Sequence, residues 1–306
     1  MAYHVSEYSQ LNVGHETKCC RGKTAPPNMF ELRCNQIFRL IATFYIYFRL
    51  VSVFNLPHIK SFKEHRKGIA LKYARNYLAR DLDCLDRARI LSYHYTYINN
   101  YMAKNFSENI TTGSIVLWEK TLGNRFSVVL DFPRHDREGD LALNFFANEV
   151  HLYTMSFTVA PGCAIKVDNE AVLFISRSQG TFGNFDLIKH ATKALGDMSP
   201  FLILLASAQA IATLLNMNIV AVSAKFQIVT GWTNEGAGFT SAYDDKWLSM
   251  GGVKFNEMLF ELPTLPCSKP LSMIKGTHRR RARQKRNAKI EIYNNVIQSF
   301  GKNCLR

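Results

Sequence analysis

The residues best placed to bind a ligand lie between Ala171 and Gly196, where an apolar run precedes a glycine-rich polar segment and apolar residues at helical spacing. Ala171 to Ile175 has the length of a buried strand, and the glycines after it predict a turn. A helix beginning after Asn184 would present free backbone N–H groups, which attract anions. An ordinary strand-to-helix connection is the alternative. The predicted ligand residues for an anion are Gln179, Gly180, Gly183 and Lys193.

Three titratable side chains are candidates for acid–base catalysis: His94, Glu138 and Tyr243. A histidine has a reference pKa near 6.5 and can carry a proton close to neutral pH. His94 lies between two tyrosines in a helical pattern, so a histidine that is simply hydrogen-bonded within a helix is the alternative.

The end of the chain is strongly basic, with seven Arg and Lys residues between positions 279 and 289. Apolar residues at helical spacing follow, so the basic residues are predicted to form the first part of a C-terminal helix. The helix macrodipole disfavours cations there unless an anion is near, which indicates acidic phospholipid or, less favoured for lack of interleaved aromatic residues, RNA. A solvated charge run is the alternative. This basic tail comprises Arg279, Arg280, Arg281, Arg283, Lys285, Arg286 and Lys289.

The elements that must position these residues begin with helices and continue with a sheet. From Ile69 onwards, apolar residues at helical spacing predict two or three helices. Four segments of alternating polarity follow, at 114–120, 125–132, 140–147 and 151–160. Their short connections predict a four-stranded antiparallel meander.

The anchor strand from Ala171 comes next, followed by its helix and by an almost wholly apolar helix that opens at Ser199-Pro200. That second helix is too short to span a membrane and leads into a buried strand at Ile219 to Ser223. A strand, two helices and a strand form a right-handed crossover with parallel strands. A short helix before Gly251-Gly252 and a returning strand complete the prediction. The fold class is α+β: N-terminal helices, a central mainly antiparallel sheet with a helical crossover, and a C-terminal basic helix.

The domain division follows the same changes of pattern along the chain. We predict a flexible lead-in at 1–28, a helical lobe at 29–110, an α+β core at 111–270 and the basic C-terminal helix at 271–306.

Composition narrows the class of partner. The 306 residues carry a formal net charge of +14, which indicates an anionic partner such as a membrane surface, a nucleic acid or a phosphorylated ligand. Seven scattered cysteines without a Cys-x-x-Cys pair predict reduced thiols in a cytoplasm and no metal site. No secretory signal is visible at the N-terminus.

An aromatic-rich segment from Asn35 to Leu56 is the nearest approach to a membrane signal. Arg39 and Arg49 leave it too short to span a bilayer. A buried helix of the globular body is favoured, and a helix in the bilayer interface is the alternative. The aromatic residues that would meet the headgroups are Phe38, Phe44, Tyr45, Tyr47 and Phe48.

A set of short motifs in a specific order carries a family resemblance. They are Tyr77 to Arg80, Arg87, His94-Tyr95, Arg137 to Leu141, Ser178 to Gly180, Ala191 to Leu195, Pro200, Ala221 to Ser223, Tyr243-Asp244, Trp247, Gly251-Gly252, Leu262-Pro263 and the basic tail. With these motifs, the chain resembles the VirK/YbjX family of Gram-negative bacterial proteins over about Tyr73 to Phe300. The family is a domain of unknown function.

The resemblance implies a virulence-associated accessory protein. Its partner would be an envelope or outer-membrane virulence protein of the autotransporter type, whose surface placement it supports together with resistance to antimicrobial peptides. Such a protein acts in the cytoplasm, with peripheral contact to the inner membrane as an open possibility. No cofactor is assigned to it with certainty.

The predicted element order is also similar to that of the GNAT-type acyl-CoA transferases. In that fold the N–H groups of the turn hold the cofactor pyrophosphate, which would assign Gln179, Gly180 and Gly183 to acyl-CoA. His94, Glu138 or Tyr243 would then be the acid or base. An acyl-CoA-dependent acyltransferase that modifies an envelope component is thus the alternative to the accessory factor.

Overall fold

An eight-stranded sheet organises the part of the chain that the computed structural model describes, which is residues 44–228, 241–268 and 270–306. Its strands are β1 (Ile115–Leu122), β2 (Asn124–Asp131), β3 (Leu141–Ala147), β4 (Val150–Pro161), β5 (Ala171–Gly180), β6 (Asn218–Val222), β7 (Val253–Lys254) and β8 (Leu259–Leu262). They lie in the order β1-β2-β3-β4-β5-β6-β8-β7. All neighbouring pairs are antiparallel except β5 and β6. The predicted α+β class is confirmed.

Nine helices accompany the strands in the described residues. They are α1 (44–54), α2 (Lys60–His65), α3 (Cys84–Tyr101), α4 (Phe106–Thr112), α5 (Gly162–Ile165), α6 (Phe185–Ala194), α7 (Pro200–Leu214), α8 (Lys246–Ser249) and α9 (Gly276–Cys304). A 3₁₀ helix, Ile69–Ala74, lies between α2 and α3. Residues 45–306 form one compact unit.

The predicted meander forms one half of the sheet, β1 to β4. β1 to β4 coincide with the four alternating segments and pair in sequence order. On β4 every residue from Leu152 to Pro161 is buried. Since successive side chains point to opposite faces, both faces of this strand are covered, and α3 and α7 supply contacts with it.

The predicted crossover is also present. After β5 the chain forms α6 and α7 and returns as β6, which pairs in parallel with β5 from Val172–Asn218 to Ile175–Ala221. Gly196, with φ of +67°, ends the α6 segment, and the Ser199 side chain caps α7 by accepting a hydrogen bond from the Leu202 N–H. α7 is buried over most of its length, as its composition predicts.

The end of β5 differs from the prediction. We predicted a turn at Ser176 to Gly180, but the strand continues to Gly180, where it still pairs with Tyr153 of β4. The turn comes later, and Gly183, not Gly180, adopts the left-handed φ of +83°. The long neighbouring strand β4 explains the extension, because it offers hydrogen-bonding partners as far as Tyr153. The pairing of β5 with β6 ends at Ile175, so β5 continues beyond the end of its parallel neighbour.

The C-terminal helix α9 has the predicted position, with the basic tail in its first half. Its second half is part of the core, since Ile292, Val296 and Phe300 are buried. α9 packs on α7 and β1.

The described part of the aromatic segment predicted as a buried helix, from residue 44 onwards, is buried mainly toward its end. In α1, Leu50 and Phe54 are buried, whereas Tyr45, Tyr47 and Phe48 are exposed. Among the described helices, none combines the length and the apolar character that crossing a membrane requires. The predicted lead-in at 1–28, Phe38 and residues 229–240 lie outside the described residues.

Candidate functional site

A basic cleft opens beside the second half of β5. Its volume is about 750 Å³, and seven Lys and Arg side chains line it against two acidic ones. A smaller cavity of about 170 Å³ adjoins it and extends to Gln179, Gly180 and Phe182. The basic cleft is lined by Arg66, Lys67, Gly68, Leu71, Lys72, Arg75, Arg134, His135, Asp136, Arg137, Glu138, Arg177 and Ile228. Arg134, His135, Glu138 and Arg177 line both cavities.

Three stretches of chain bring these residues together. The connection between α2 and the 3₁₀ helix supplies residues 66–68, and the β2–β3 connection supplies 134–138. β5 supplies Arg177, two residues beyond the end of its pairing with β6. Gly139 closes the β2–β3 connection with φ of +155°, and a Cβ there would lie 3.0 Å from the carbonyl oxygen of Phe157. A glycine is therefore required for this connection to pass so close to β4.

Some cations of the basic cleft already have a counter-ion. Arg66 Nη2 lies 2.5 Å from Asp136 Oδ1, and Arg177 forms an ion pair with the buried Glu138. The Ser176 hydroxyl donates to the Glu138 carbonyl, which ties β5 to the β2–β3 connection. These contacts build part of the wall of the cleft and neutralise the charges of Arg66 and Arg177.

Four other cations of the cleft have no counter-ion. Among the residues that the structure describes, no hydrogen bond or ion pair forms at the side chains of Lys67, Arg75, Arg134 and Arg137. Four like charges around one concave surface repel each other and create a positive potential. The arrangement suits a ligand with several negative charges, and guanidinium groups fit phosphate or carboxylate oxygens.

A buried polar network lies beneath the cleft and centres on Asp140. Lys72 Nζ lies 2.9 Å from Asp140 Oδ1 and also donates to the Gly139 carbonyl at 2.9 Å. The hydroxyls of Tyr77, Tyr95 and Thr158 donate to the same carboxylate. The network joins the 3₁₀ helix, α3 and β4 to the β2–β3 connection, and so holds the floor of the cleft in place.

The charges in this network determine the protonation of its members. Burial alone would raise the pKa of Asp140, but Lys72, His94 and the tyrosine hydrogen bond lower it to about 2. Burial and the neighbouring carboxylate raise the pKa of Tyr77 and Tyr95 well above the usual range, so both remain donors.

His94, a predicted catalytic candidate, lies inside the protein. It is fully buried on α3, and its Nδ1 accepts a hydrogen bond from the Val159 N–H at 3.1 Å. Burial lowers its pKa to about 4, so the imidazole is neutral at pH 7. Its Nε2 is buried without a partner in the described structure. His94 lines neither cavity, which agrees with the alternative of a hydrogen-bonded helix histidine.

Of the other two catalytic candidates, Glu138 lies at the cleft, whereas Tyr243 is buried and lines neither cavity. Glu138 lines both cavities and pairs with Arg177. Tyr243 lies against the part of β5 that extends beyond the end of β6. Burial raises the pKa of Tyr243 to about 12, while Arg177 and a hydrogen bond with the Ser178 backbone lower this pKa. The segment that carries Tyr243 is held at the end of β6, where the Asp244 carboxylate accepts the Ala224 N–H at 2.7 Å.

Two histidines of the cavities were not among the predicted candidates. His135 lines both, and burial together with Arg177 and Arg134 lowers its pKa. Its side chain makes no hydrogen bond in the described structure. His151 of the smaller cavity lies between Thr154 and Thr181, at 2.7 and 2.9 Å. The lowered pKa keeps the His135 imidazole neutral, which is the form that can accept a proton.

The predicted anion ligands are divided between the cavity and the surface. Gln179 and Gly180 line the smaller cavity, and Arg177 donates to the Gln179 side chain. The N–H of the next residue, Thr181, donates to the Leu152 carbonyl and is not free for a ligand. Gly183 and Lys193 line neither cavity, and Lys193 is exposed on α6.

The cations of residues 66–75 and 134–137 were not among the predicted ligand residues. The cluster of Arg and His at 134–137 is the sequence feature that could have indicated them.

The basic tail is partly engaged with the body of the protein. Arg281 pairs with Asp197 at 3.0 Å, and Lys289 donates to the Cys267 carbonyl at 2.9 Å. Arg280, Arg283 and Lys285 have no partner in the described residues, and Arg279 only donates to the nearby Ile274 carbonyl.

The part of the chain that the structure describes contains no group of three or more His, Cys, Asp and Glu side chains that could hold a metal ion.

Comparison with known proteins gives one match. A family model described as "Protein of unknown function (DUF535)" matches residues 29–298. No curated protein and no solved structure matches the chain.

Proposed function

We propose that this chain, which belongs to the DUF535 family of proteins of unknown function, is an acyltransferase that binds an acyl-CoA in the basic cleft and acylates a component of the cell envelope. The VirK/YbjX resemblance indicates this same family. One observation carries the proposal: four unpaired cations surround a cleft of about 750 Å³ beside the open edge of β5. A coenzyme with three phosphate groups supplies the missing negative charge.

The strand arrangement supports the choice of an acyl thioester over other polyanions. β5 and β6 are the parallel pair, and β8 lies between β6 and β7, an order similar to that of the GNAT-type transferases. Beyond Ile175, β5 has no strand partner on the β6 side. The backbone there can hydrogen-bond an extended amide-containing ligand such as the pantetheine arm. In open sheets, ligands bind at the carboxyl ends of the parallel strands.

The side chains around this edge can serve the transfer. An amine or hydroxyl of the acceptor attacks the thioester carbonyl, a new C–N or C–O bond forms, and the C–S bond breaks. The acceptor proton goes to the neutral His135, and the leaving thiolate takes the phenolic proton of Tyr243. With a pKa raised to about 12, Tyr243 is protonated at neutral pH and can act only as the acid. Glu138 positions Arg177.

Acyl transfer is tested by following free thiol release from acetyl-, octanoyl- and palmitoyl-CoA in the presence of envelope extract. We expect release that depends on the extract, and Tyr243→Phe should lower kcat about 100-fold with little change in KM. The matched control is Tyr293→Phe, far along the chain in α9. Thiol release that is the same with and without the protein would reject the proposal, as would an unchanged kcat in Tyr243→Phe.

A second candidate is the non-enzymatic accessory factor, favoured by the three unpaired cations of the basic tail. In this role Arg280, Arg283 and Lys285 dock the protein on the cytoplasmic face of the inner membrane or on an envelope virulence protein, whose surface placement it supports. Removing the whole tail segment would disturb the core contacts of α9, so substitution is the better test. The triple change to Gln should abolish recovery with envelope fractions at low salt if this role is correct, and leave it unchanged if it is not.

A further inference from the structure

We infer that the turn before α6 and one stripe of that helix form a docking surface for an anionic lipid bilayer. This docking tip consists of Phe182, Phe185, Lys189 and Lys193. The inference goes beyond the proposed function, since it concerns a separate surface, and it does not involve the basic tail.

The first support is the exposure of two phenylalanines. Phe182 is fully exposed and Phe185 is 75% exposed, three residues apart across the turn that Gly183 forms with φ of +83°. Fully exposed aromatic rings are unfavourable in water, because each carries a large apolar area. Inserting them between lipid headgroups removes that area from water.

The second support is the charge beside these rings. Phe185, Lys189 and Lys193 recur at four-residue spacing and share one face of α6, whereas Ile188 and Ala191 turn toward the body of the protein. Both lysines are exposed and have no partner among the described residues. Aromatic residues followed by lysines on one helix face suit an interface with anionic lipids.

The third support is the neighbourhood of the tip. Phe182 lines the smaller cavity together with Arg134 and His135, so the docking tip stands at the edge of the basic cleft. Inserted rings would therefore bring the unpaired guanidinium groups to the headgroup layer. A protein partner could also cover two phenylalanines. Around the tip, however, the cations Lys189, Lys193, Arg134 and Arg177 outnumber the acidic Asp186 and Glu138, and the net charge is +14, which favours an anionic lipid surface.

The test is co-sedimentation of the full chain with vesicles, without any acyl donor. Vesicles containing phosphatidylglycerol are compared with vesicles of phosphatidylcholine alone. We expect binding only to the vesicles that contain phosphatidylglycerol. The affinity for these vesicles should fall about tenfold or more in Phe182→Ser/Phe185→Ser. It should fall less than twofold in the control Leu248→Ser/Phe255→Ser, whose original side chains are also exposed. Lys189→Gln/Lys193→Gln should weaken binding about tenfold and reduce its salt dependence.

Four results would overturn the inference. They are equal binding to both vesicle types, unchanged binding in the phenylalanine variant, equal losses in the variant and its control, or a dimer in solution that the phenylalanine variant converts to a monomer. The last result would assign the tip to a second copy of the chain. All six residues substituted in this test are exposed, so the melting temperatures of the variants should equal that of the unmodified protein. A failure of acyl transfer would leave these vesicle results intact, so the two proposals fail separately.

Discussion

At Asp140, a single buried carboxylate joins a lysine, two tyrosines and a threonine from three elements and one connection. The motif Arg137 to Leu141 drew attention to this residue in the sequence, but its partners did not follow from the pattern. Lys72 and Tyr77 lie more than 60 positions away, and only the packing of residues 69–77 against the β2–β3 connection and α3 brings them to it. Period and spacing predict local elements, whereas a buried polar network depends on tertiary contacts.

Replacing Asp140 by Asn should destabilise the protein by about 3–5 kcal/mol, because the Lys72 ammonium would stay buried without its counter-ion. The measurement is the free energy of unfolding from urea denaturation. The matched control is Glu64→Gln in the exposed pair with Lys60, which should cost less than about 1 kcal/mol. Similar values for the two variants would mean that the buried pair contributes no more than a surface pair.

His94 makes stability depend on pH in the acidic range. Its pKa is 6.5 in the unfolded chain and about 4 in the folded protein, so between these values the unfolded state binds the extra proton. Falling pH therefore favours unfolding, by about 3 kcal/mol in total at pH 4. In His94→Asn the amide oxygen can still accept the Val159 N–H but does not titrate. Denaturation at several pH values should show a slope between pH 6.5 and 4 that is one proton smaller in this variant; equal slopes would contradict the assignment.

Among the elements, β5 and α9 show what tertiary structure adds to local preference. The glycine at position 180 indicated a turn, but the partner strand β4 keeps the chain extended to that residue. Of the residues predicted to bind an anion, Gln179 and Gly180 therefore line the smaller cavity from the end of β5, whereas Gly183 in the turn lines neither cavity. By contrast, the sequence predicted the four meander strands, the parallel crossover and the C-terminal helix, because their hydrophobic periods are long and regular.

The second half of α9 should be essential for stability. Phe300 is buried in the core, so Phe300→Ala should lower the free energy of unfolding by about 3–5 kcal/mol through lost burial and the cavity left behind. Ile290 lies on the same helix but is 45% exposed, and Ile290→Ala should change it by less than about 1 kcal/mol. Urea denaturation measures both. A small loss in Phe300→Ala would show that the terminal helix is only loosely attached.

For the whole molecule, the net charge of +14 indicated an anionic partner without showing where it binds. The structure places groups of unpaired cations in the basic cleft, the basic tail and the docking tip. The tail was readable because its residues are consecutive. The cleft was not, because its four free cations come from two stretches of chain, 67–75 and 134–137, that lie about 60 residues apart in sequence.

The central claim, that the basic cleft binds the phosphate groups of an acyl-CoA, is tested most directly by calorimetry with coenzyme A. Arg134→Gln/Arg137→Gln removes two unpaired guanidinium groups from the cleft, and Arg280→Gln/Arg283→Gln removes two from the tail. The account predicts that the cleft variant binds at least about tenfold more weakly, that the tail variant binds within about twofold of the unmodified protein, and that pantetheine without phosphates does not bind. Equal weakening in both variants, or no binding of coenzyme A to the unmodified protein, would contradict it.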